Sequence, residues 1–167
     1  MTDCHLFTKP VFFDSRGYFI EQFNITKDAF TVQQISESVS HPYTFRGFHF
    51  QQGMDKILRV VGGRAHIYLL DVFSDTPVLK KFSMAADVSV DWVQYLYIPS
   101  HYAIGFMTTE RTHIQYFQNA VRTDKNYTIN ISSFQDQIEF APSIQHISPA
   151  DATAMSWDMW KSSRSHA

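Results

Sequence analysis

The sequence predicts an all-β fold, an antiparallel jelly roll with short flanking helices, and three observations carry that prediction. Runs of β-branched and aromatic residues, three to eight long, recur along the whole chain. Most connections between them are too brief to hold the crossover helices of a parallel sheet. Gly and Pro, six of each, fall between the runs. Hydrophobic residues make up 44% of the 167, with 15 Phe, 8 Tyr and 3 Trp, enough to build a substantial core and to exclude global disorder.

The expected strands are 11–13, 18–23, 31–36, 44–50, 56–61, 65–72, 79–84, 92–98, 104–108, 113–117 and 127–131. The first two are aromatic and flank Asp14-Ser15-Arg16-Gly17; those at 44–50, 56–61 and 65–72 are parted by Gly53 and by Gly62-Gly63. The run 65–72, AHIYLLDV, is apolar on nearly every position, as in a strand buried between two layers or covered by a partner subunit. A short helix is expected at 26–30. A longer one starts near Ser148, where Ser148-Pro149-Ala150-Asp151 gives an N-cap, an N1 proline and an acidic N3, and runs to about 161. Residues 162–167 are small and polar and are expected to fray. The whole of 1–167 reads as one domain.

Composition excludes more than it assigns. Fourteen Lys and Arg against 16 Asp and Glu give a net charge of −2, with no basic run to track nucleic acid. Cys4 is the single cysteine, so neither an internal disulfide nor a thiolate zinc cluster is available. With neither a signal-like start nor an apolar span of membrane length, a cytoplasmic protein is expected. The eight histidines are scattered singly, and no nucleophile elbow, phosphate loop or dinucleotide fingerprint occurs, so no metal or cofactor is expected.

Three places hold polar groups on otherwise apolar strands, and a fourth candidate sits at a helix start. In Phe45-Arg46-Gly47-Phe48-His49-Phe50-Gln51, strict alternation puts Arg46 and His49 on opposite faces, so both serve one pocket only if Gly47 bends or bulges the strand. The same residues also read as a core histidine beside a surface arginine. In Lys56-Ile57-Leu58-Arg59-Val60-Val61, Lys56 and Arg59 take opposite faces, and one of them must meet apolar surroundings; a lysine at a strand mouth can also snorkel to water. Tyr116 alternates inward with Ile114 and needs a partner for its hydroxyl. Asp151 at N3 is well placed as a simple helix cap.

Taken together, these segments resemble the dTDP-4-dehydrorhamnose 3,5-epimerase family, cupin-type jelly rolls that invert stereocentres flanking the 4-keto group of nucleotide-linked 6-deoxysugars. Phe12-Phe13-Asp14-Ser15-Arg16-Gly17-Tyr18-Phe19-Ile20-Glu21 is similar to the family's F-x-D-x-R-G-x-F-x-E opening, and 45–51 to its L-R-G-L-H-[YF]-Q strand. Residues 56–63 resemble K-L-V-R-V-V-x-G, 98–106 resemble I-P-x-G-F-A-H-G-F, and 147–151 resemble L-S-x-x-D. The motifs follow in order from 12 to 154. The resemblance implies His49 as catalytic base with Asp151 as its carboxylate partner, Lys56 as the cation for the C4 oxygen and Tyr116 as the acid on the opposite face. It implies Arg46 at the pyrophosphate, with Gln34, Ser36, Gln51 and Arg59 among the substrate-binding residues. Arg16, Phe19 and Glu21 match residues that reach a neighbouring subunit's nucleotide in a strand-swapped homodimer.

The sequence also departs from that pattern. Ile104 stands where the family has a histidine, Ser36 replaces an asparagine, Phe73 replaces an arginine, and Val121-Arg122 stands where an aromatic pair is usual. The implied activity is inversion at C3, C5 or both of a nucleoside-diphosphate 4-keto-6-deoxysugar. A 3,4-ketoisomerase on a related fold and a catalytically silent sugar-nucleotide-binding cupin are the alternatives.

Overall fold

The computed structural model describes residues 3–87, 91–123 and 126–164. Its frame is two five-stranded antiparallel sheets facing each other. The first runs β1 (His5–Pro10), β9 (Trp92–Ile98), β6 (Lys56–Gly62), β11 (Thr112–Gln118), β4 (Gln34–Ser40). The second runs β12 (Asn126–Thr128), β5 (Thr44–Gln51), β10 (Tyr102–Thr108), β7 (Arg64–Asp71), β8 (Leu79–Ala85). A separate hairpin pairs β2 (Phe12–Asp14) with β3 (Gly17–Phe19). The jelly roll read from the strand spacing is the observed architecture.

Three layers of apolar side chains follow from the alternation of these strands. Leu58, Val60, Ile67, Leu69, Leu96, Ile98, Ile104 and Ile114 fill the space between the sheets. Phe45, Phe48, Leu70 and Met107 point the other way from the second sheet and are covered by Phe134, Trp157 and Trp160 of the C-terminal segment. Ile57, Tyr95 and Phe117 point outward from the first sheet and are covered by Phe23, Phe30 and Val32. The chain itself thus supplies the cover that the doubly apolar β7 requires. Each fully buried aromatic or aliphatic side chain in these layers contributes about 1.5–3 kcal/mol.

The elements differ from the sequence reading at several places, among them the strand expected at 18–23, which ends at Phe19. β1, an edge strand pairing with β9, goes unpredicted because HLFTKP is polar and ends in proline. Residues 26–30 form turns instead of a helix: Asn24 captures the Thr26 N–H with its side chain and the Lys27 and Asp28 N–H groups with its carbonyl, and Phe30 then packs on the first sheet. Pairing of the 31–36 segment begins only at Gln34 opposite Gln118, and extends to Ser40. The strand expected at 127–131 ends at Thr128, because the Asn130 side chain caps the 3₁₀ turn Ile131–Gln137. The expected helix 148–161 is two helices, α1 (Pro149–Ala152) and α2 (Trp157–Arg164). Between them the Asn130 amide donates to the Asp151 and Ala152 carbonyls, and Asn130 N–H donates to Met155 O at 2.8 Å, so the carbonyls that would propagate the helix are already taken. Of the tail expected to fray, 162–164 instead close α2, where Arg164 donates to the Val72 and Ser74 carbonyls, and 165–167 lies outside the described residues.

Candidate active site

One cavity of about 410 Å3 opens into the roll, walled by β4, β5, β6, β10, β11, β12 and α1. It collects His49, Asp151, Lys56, Tyr116, Arg46, Gln34, Ser36 and Gln51, residues spread over more than a hundred positions of sequence.

β5 reaches the cavity by breaking its own alternation. Opposite β10, Ile104 pairs with His49 and Phe106 with Arg46, so two residues of β5 face one of β10. Gly47 has φ +127°, a conformation L side chains rarely adopt, and a Cβ there would meet Ile104 O at 2.5 Å. Across the gap, a Cβ on Gly105 would meet the Phe45 and Phe48 rings at 2.9 Å. The bulge puts Phe45 and Phe48 together on the covered face and brings Arg46 and His49 together on the cavity face. It is the distortion that the two polar residues required if they were to share a pocket.

Asp151 is 5% exposed and both of its carboxylate oxygens are occupied. Oδ1 lies 2.9 Å from His49 Nε2, and Oδ2 accepts the Gly47 N–H at 3.1 Å. Ser148 caps α1 by accepting the Asp151 N–H at 3.0 Å. Burial by itself would raise the Asp151 carboxyl, but the bonds to His49, Gly47 and Ser148 outweigh it and hold the group below its ordinary value. The cap reading and the histidine-partner reading of Asp151 are therefore both realised, the backbone in one and the carboxylate in the other.

Lys56 opens β6 and is 8% exposed. Burial, with the Arg122 charge adding to it, brings its ammonium down to about 8. Tyr116, on β11, has its hydroxyl 3.3 Å from Ser38 Oγ, and burial pushes it up to about 12. Arg46 donates from Nε to Ser40 Oγ at 3.0 Å and from Nη2 to Val39 O at 3.3 Å. The inward face of β4 thus presents Gln34, Ser36, Ser38 and Ser40 as a polar ladder, while Ile35, Glu37 and Val39 face solvent.

Gln118 and Asn126, both on the cavity wall, went unread in the sequence. Gln118 donates to Met54 Sδ and accepts from Ser36; its signal was plain, since it shares the inward face of β11 with Tyr116. Asn126 accepts from Gln51 at 2.5 Å, and Arg122 is drawn to the cavity by its N–H donating to Gln34 Oε1 at 2.8 Å. Ile104, in place of a histidine, puts an apolar wall directly beside His49.

Four expected residues lie elsewhere. Arg59 is a correction: alternation turns it away from Lys56, onto the outer face of β6, where its guanidinium sits 5.8 Å from the Tyr95 ring centroid. Arg16, Phe19 and Glu21 are exposed on or just after the β2–β3 hairpin, with Arg16 paired to Asp14 at 2.5 Å and Glu21 to Lys27 at 3.3 Å. In a single copy of the chain they do not line the cavity.

The family model for dTDP-4-dehydrorhamnose 3,5-epimerase matches residues 1–158. The chain belongs to the dTDP-4-dehydrorhamnose 3,5-epimerase family. A curated relative of that name from Salmonella typhimurium is 28% identical over 115 residues, covering 64% of this chain and 62% of the relative. Another from Escherichia coli K12 is 32% identical over 108 residues, covering 58% and 57%. These matches span less than two thirds of the relatives' own length. Among solved structures, the dTDP-4-dehydrorhamnose 3,5-epimerase of Sulfolobus tokodaii superposes with a TM-score of 0.75 at 28% identity, over 92% of this chain and 90% of that one. A 3'-monoepimerase from Streptomyces bikiniensis, in complex with dTDP-quinovose, gives 0.80 at 19% identity over 96% and 87%. The cupin-type jelly roll is thus the shared fold, and among the described residues no helix is long and apolar enough to cross a membrane.

Proposed function

We propose that this family member is an epimerase that inverts C3, C5 or both of a nucleoside-diphosphate 4-keto-6-deoxysugar, by removing a proton beside the ketone and returning one to the other face. The observation that carries this is the convergence of a carboxylate-held imidazole, a buried ammonium and a tyrosine hydroxyl on one cavity. A proton α to a ketone is too weakly acidic to remove unless the developing oxyanion is stabilised, so a base and a cation are needed together. His49 is the base. With Nε2 engaged by Asp151, the neutral ring carries its hydrogen there and offers Nδ1, and the carboxylate stabilises the imidazolium that forms. Lys56 meets the enolate oxygen: it is desolvated, which strengthens its pull on a developing charge. Tyr116 delivers a proton to the opposite face, its high affinity for that proton keeping it loaded until the enolate forms.

Arg46 suits the pyrophosphate, with a planar fork steadied by Ser40. Gln34, Ser36, Gln51 and Arg122 suit the nucleotide. Relatives with bound dTDP-sugars support a thymidine nucleotide, and a 3'-monoepimerase among them supports inversion at one carbon as a variant of the same chemistry. The exposed aromatic rings of the hairpin, Phe12, Phe13, Tyr18 and Phe19, support pairing with a second copy, whose cavity Arg16 and Glu21 would then approach. The direct test is incubation in D2O with dTDP-linked 4-keto-6-deoxysugars and NMR of the recovered sugar. Deuterium at C3, at C5 or at both is expected, and no exchange with any such sugar excludes the proposal.

A further inference from the structure

The substrate cavity has two ends, two faces and two unlike sides. Arg46 stands at the end where it bonds Ser40. Lys56 stands at the other, level with Gln118 and so with Gln34. Between them, His49 belongs to the second sheet and Tyr116 to the first. One side is the polar ladder of β4, where Ser38 Oγ lies 3.3 Å from the Tyr116 hydroxyl. The opposite side is β10, next to β5 and away from β12. There Ile104 pairs with His49 and Phe106 with Arg46. Both line the cavity, at 5% and 4% exposed, and Tyr116 packs against the same apolar cluster. The other aromatic lining residues, Phe50 and Tyr127, stack on each other and belong to the covered layer outside the second sheet.

A 4-keto-6-deoxyhexose joined to a diphosphate through C1 has its ketone across the ring from that bond. With Lys56 at the ketone oxygen and Arg46 at the pyrophosphate, the long axis of the ring is set, and its two faces go to His49 and Tyr116. The remaining choice is which edge turns towards β10. The C2–C3 edge carries two hydroxyls; the C5 edge carries the C6 methyl. An isoleucine against a hydroxyl strips it of water and returns no hydrogen bond, whereas against a methyl it gains by covering it. Resting on the epimerase reading, we propose that Ile104 is a specificity-determining residue: with Phe106 it forms the wall that receives the C6 methyl and selects 6-deoxy sugars over those carrying a hydroxyl on C6. The hydroxyls of the other edge then face the serines of β4.

The sugars dTDP-6-deoxy-D-glucose and dTDP-D-glucose differ only by that hydroxyl, and titration calorimetry gives the ratio of their affinities. Wild-type protein is expected to favour the 6-deoxy sugar by roughly 10-fold to 100-fold, the range an apolar pocket achieves against an added hydroxyl. Ile104→Val and Ile104→Thr share one shape and differ by a methyl against a hydroxyl. The Val variant is expected to keep the preference and the Thr variant to lose it severalfold. No preference in the wild type, or the same ratio in both variants, overturns the wall. Should the Thr variant not fold, nuclear Overhauser contacts in wild-type protein decide: contact between the Ile104 methyls and the C6 protons of the bound 6-deoxy sugar is expected, and its absence overturns the wall. Wild-type protein that binds neither sugar, and exchanges no proton beside the ketone of any 4-keto-6-deoxysugar, overturns the epimerase reading instead, so the two failures are distinguishable.

Discussion

β5 and β6 carry functional side chains into the same cavity by opposite means. β6 keeps strict alternation, so Lys56 faces the cavity, Leu58 and Val60 the core, and Arg59 the aromatic cover outside. β5 gives alternation up at Gly47 and thereby places Arg46 and His49 on one face. The regular strand can deliver one cation and must send the next one away. The bulged strand delivers two polar groups three residues apart, together with a backbone N–H aimed at Asp151. Regularity builds the wall, and irregularity assembles the dyad.

The comparison is sharpened by removing what each strand delivers. Lys56→Met should lower kcat by about 10²–10³, the range for losing one oxyanion-stabilising group. The same change should raise thermal stability, by up to ~2 kcal/mol, because it removes a desolvated ammonium. The pH dependence has a definite sign. The folded chain binds this proton less tightly than the unfolded chain, its value being about 8 against an ordinary 10.5. Wild-type stability from this group therefore rises between those values, and the advantage of the Met variant, full below pH 8, should shrink above it. Thermal melts at a series of pH values check this.

Gly47→Ala breaks the other strand. The added Cβ must displace the β10 backbone and adopt a strained φ, so a stability loss of roughly 2–3 kcal/mol is expected together with a fall in activity, as the Gly47–Asp151–His49 alignment shifts. Circular dichroism melts and steady-state assays read both. A smaller effect is expected at Arg122. Its charge contributes to lowering Lys56, and since Lys56 must be protonated to hold an enolate, activity should fall as pH rises through about 8. Arg122→Gln should move that alkaline fall upward in a kcat/KM profile. The smallest effect belongs to Arg59→Met, which should leave kcat/KM within about twofold of wild type because the side chain faces away from the cavity. A large kinetic loss there would contradict the two-faced description of β6.

Much of this could be read before the structure. The strand content was legible from the punctuated aromatic runs, and His49, Lys56 and Tyr116 stood out as polar groups on apolar strands; their roles, and any role of Asp151 beyond a helix cap, came from the family resemblance, while the bulge was legible as a condition that Gly47 had to meet. Arg59 was grouped with the binding residues although its own alternation with Ile57 placed it outside. What the sequence hid was non-local. The break in the C-terminal helix is made by Asn130, some twenty residues upstream, and the turn at 24–28 is closed by Asn24, whose side chain takes the Thr26 N–H and whose carbonyl takes those of Lys27 and Asp28.

The account stands on His49 as the base and Tyr116 as the opposite acid. Site-resolved deuterium incorporation from D2O into a dTDP-linked 4-keto-6-deoxysugar, measured beside inversion for wild type, His49→Ala and Tyr116→Phe, addresses it most directly. His49→Ala should abolish exchange at every carbon, a loss of about 10³ or more, whereas Tyr116→Phe should preserve exchange far better than inversion. Exchange that survives in His49→Ala, or falls in step with inversion in Tyr116→Phe, would contradict these roles.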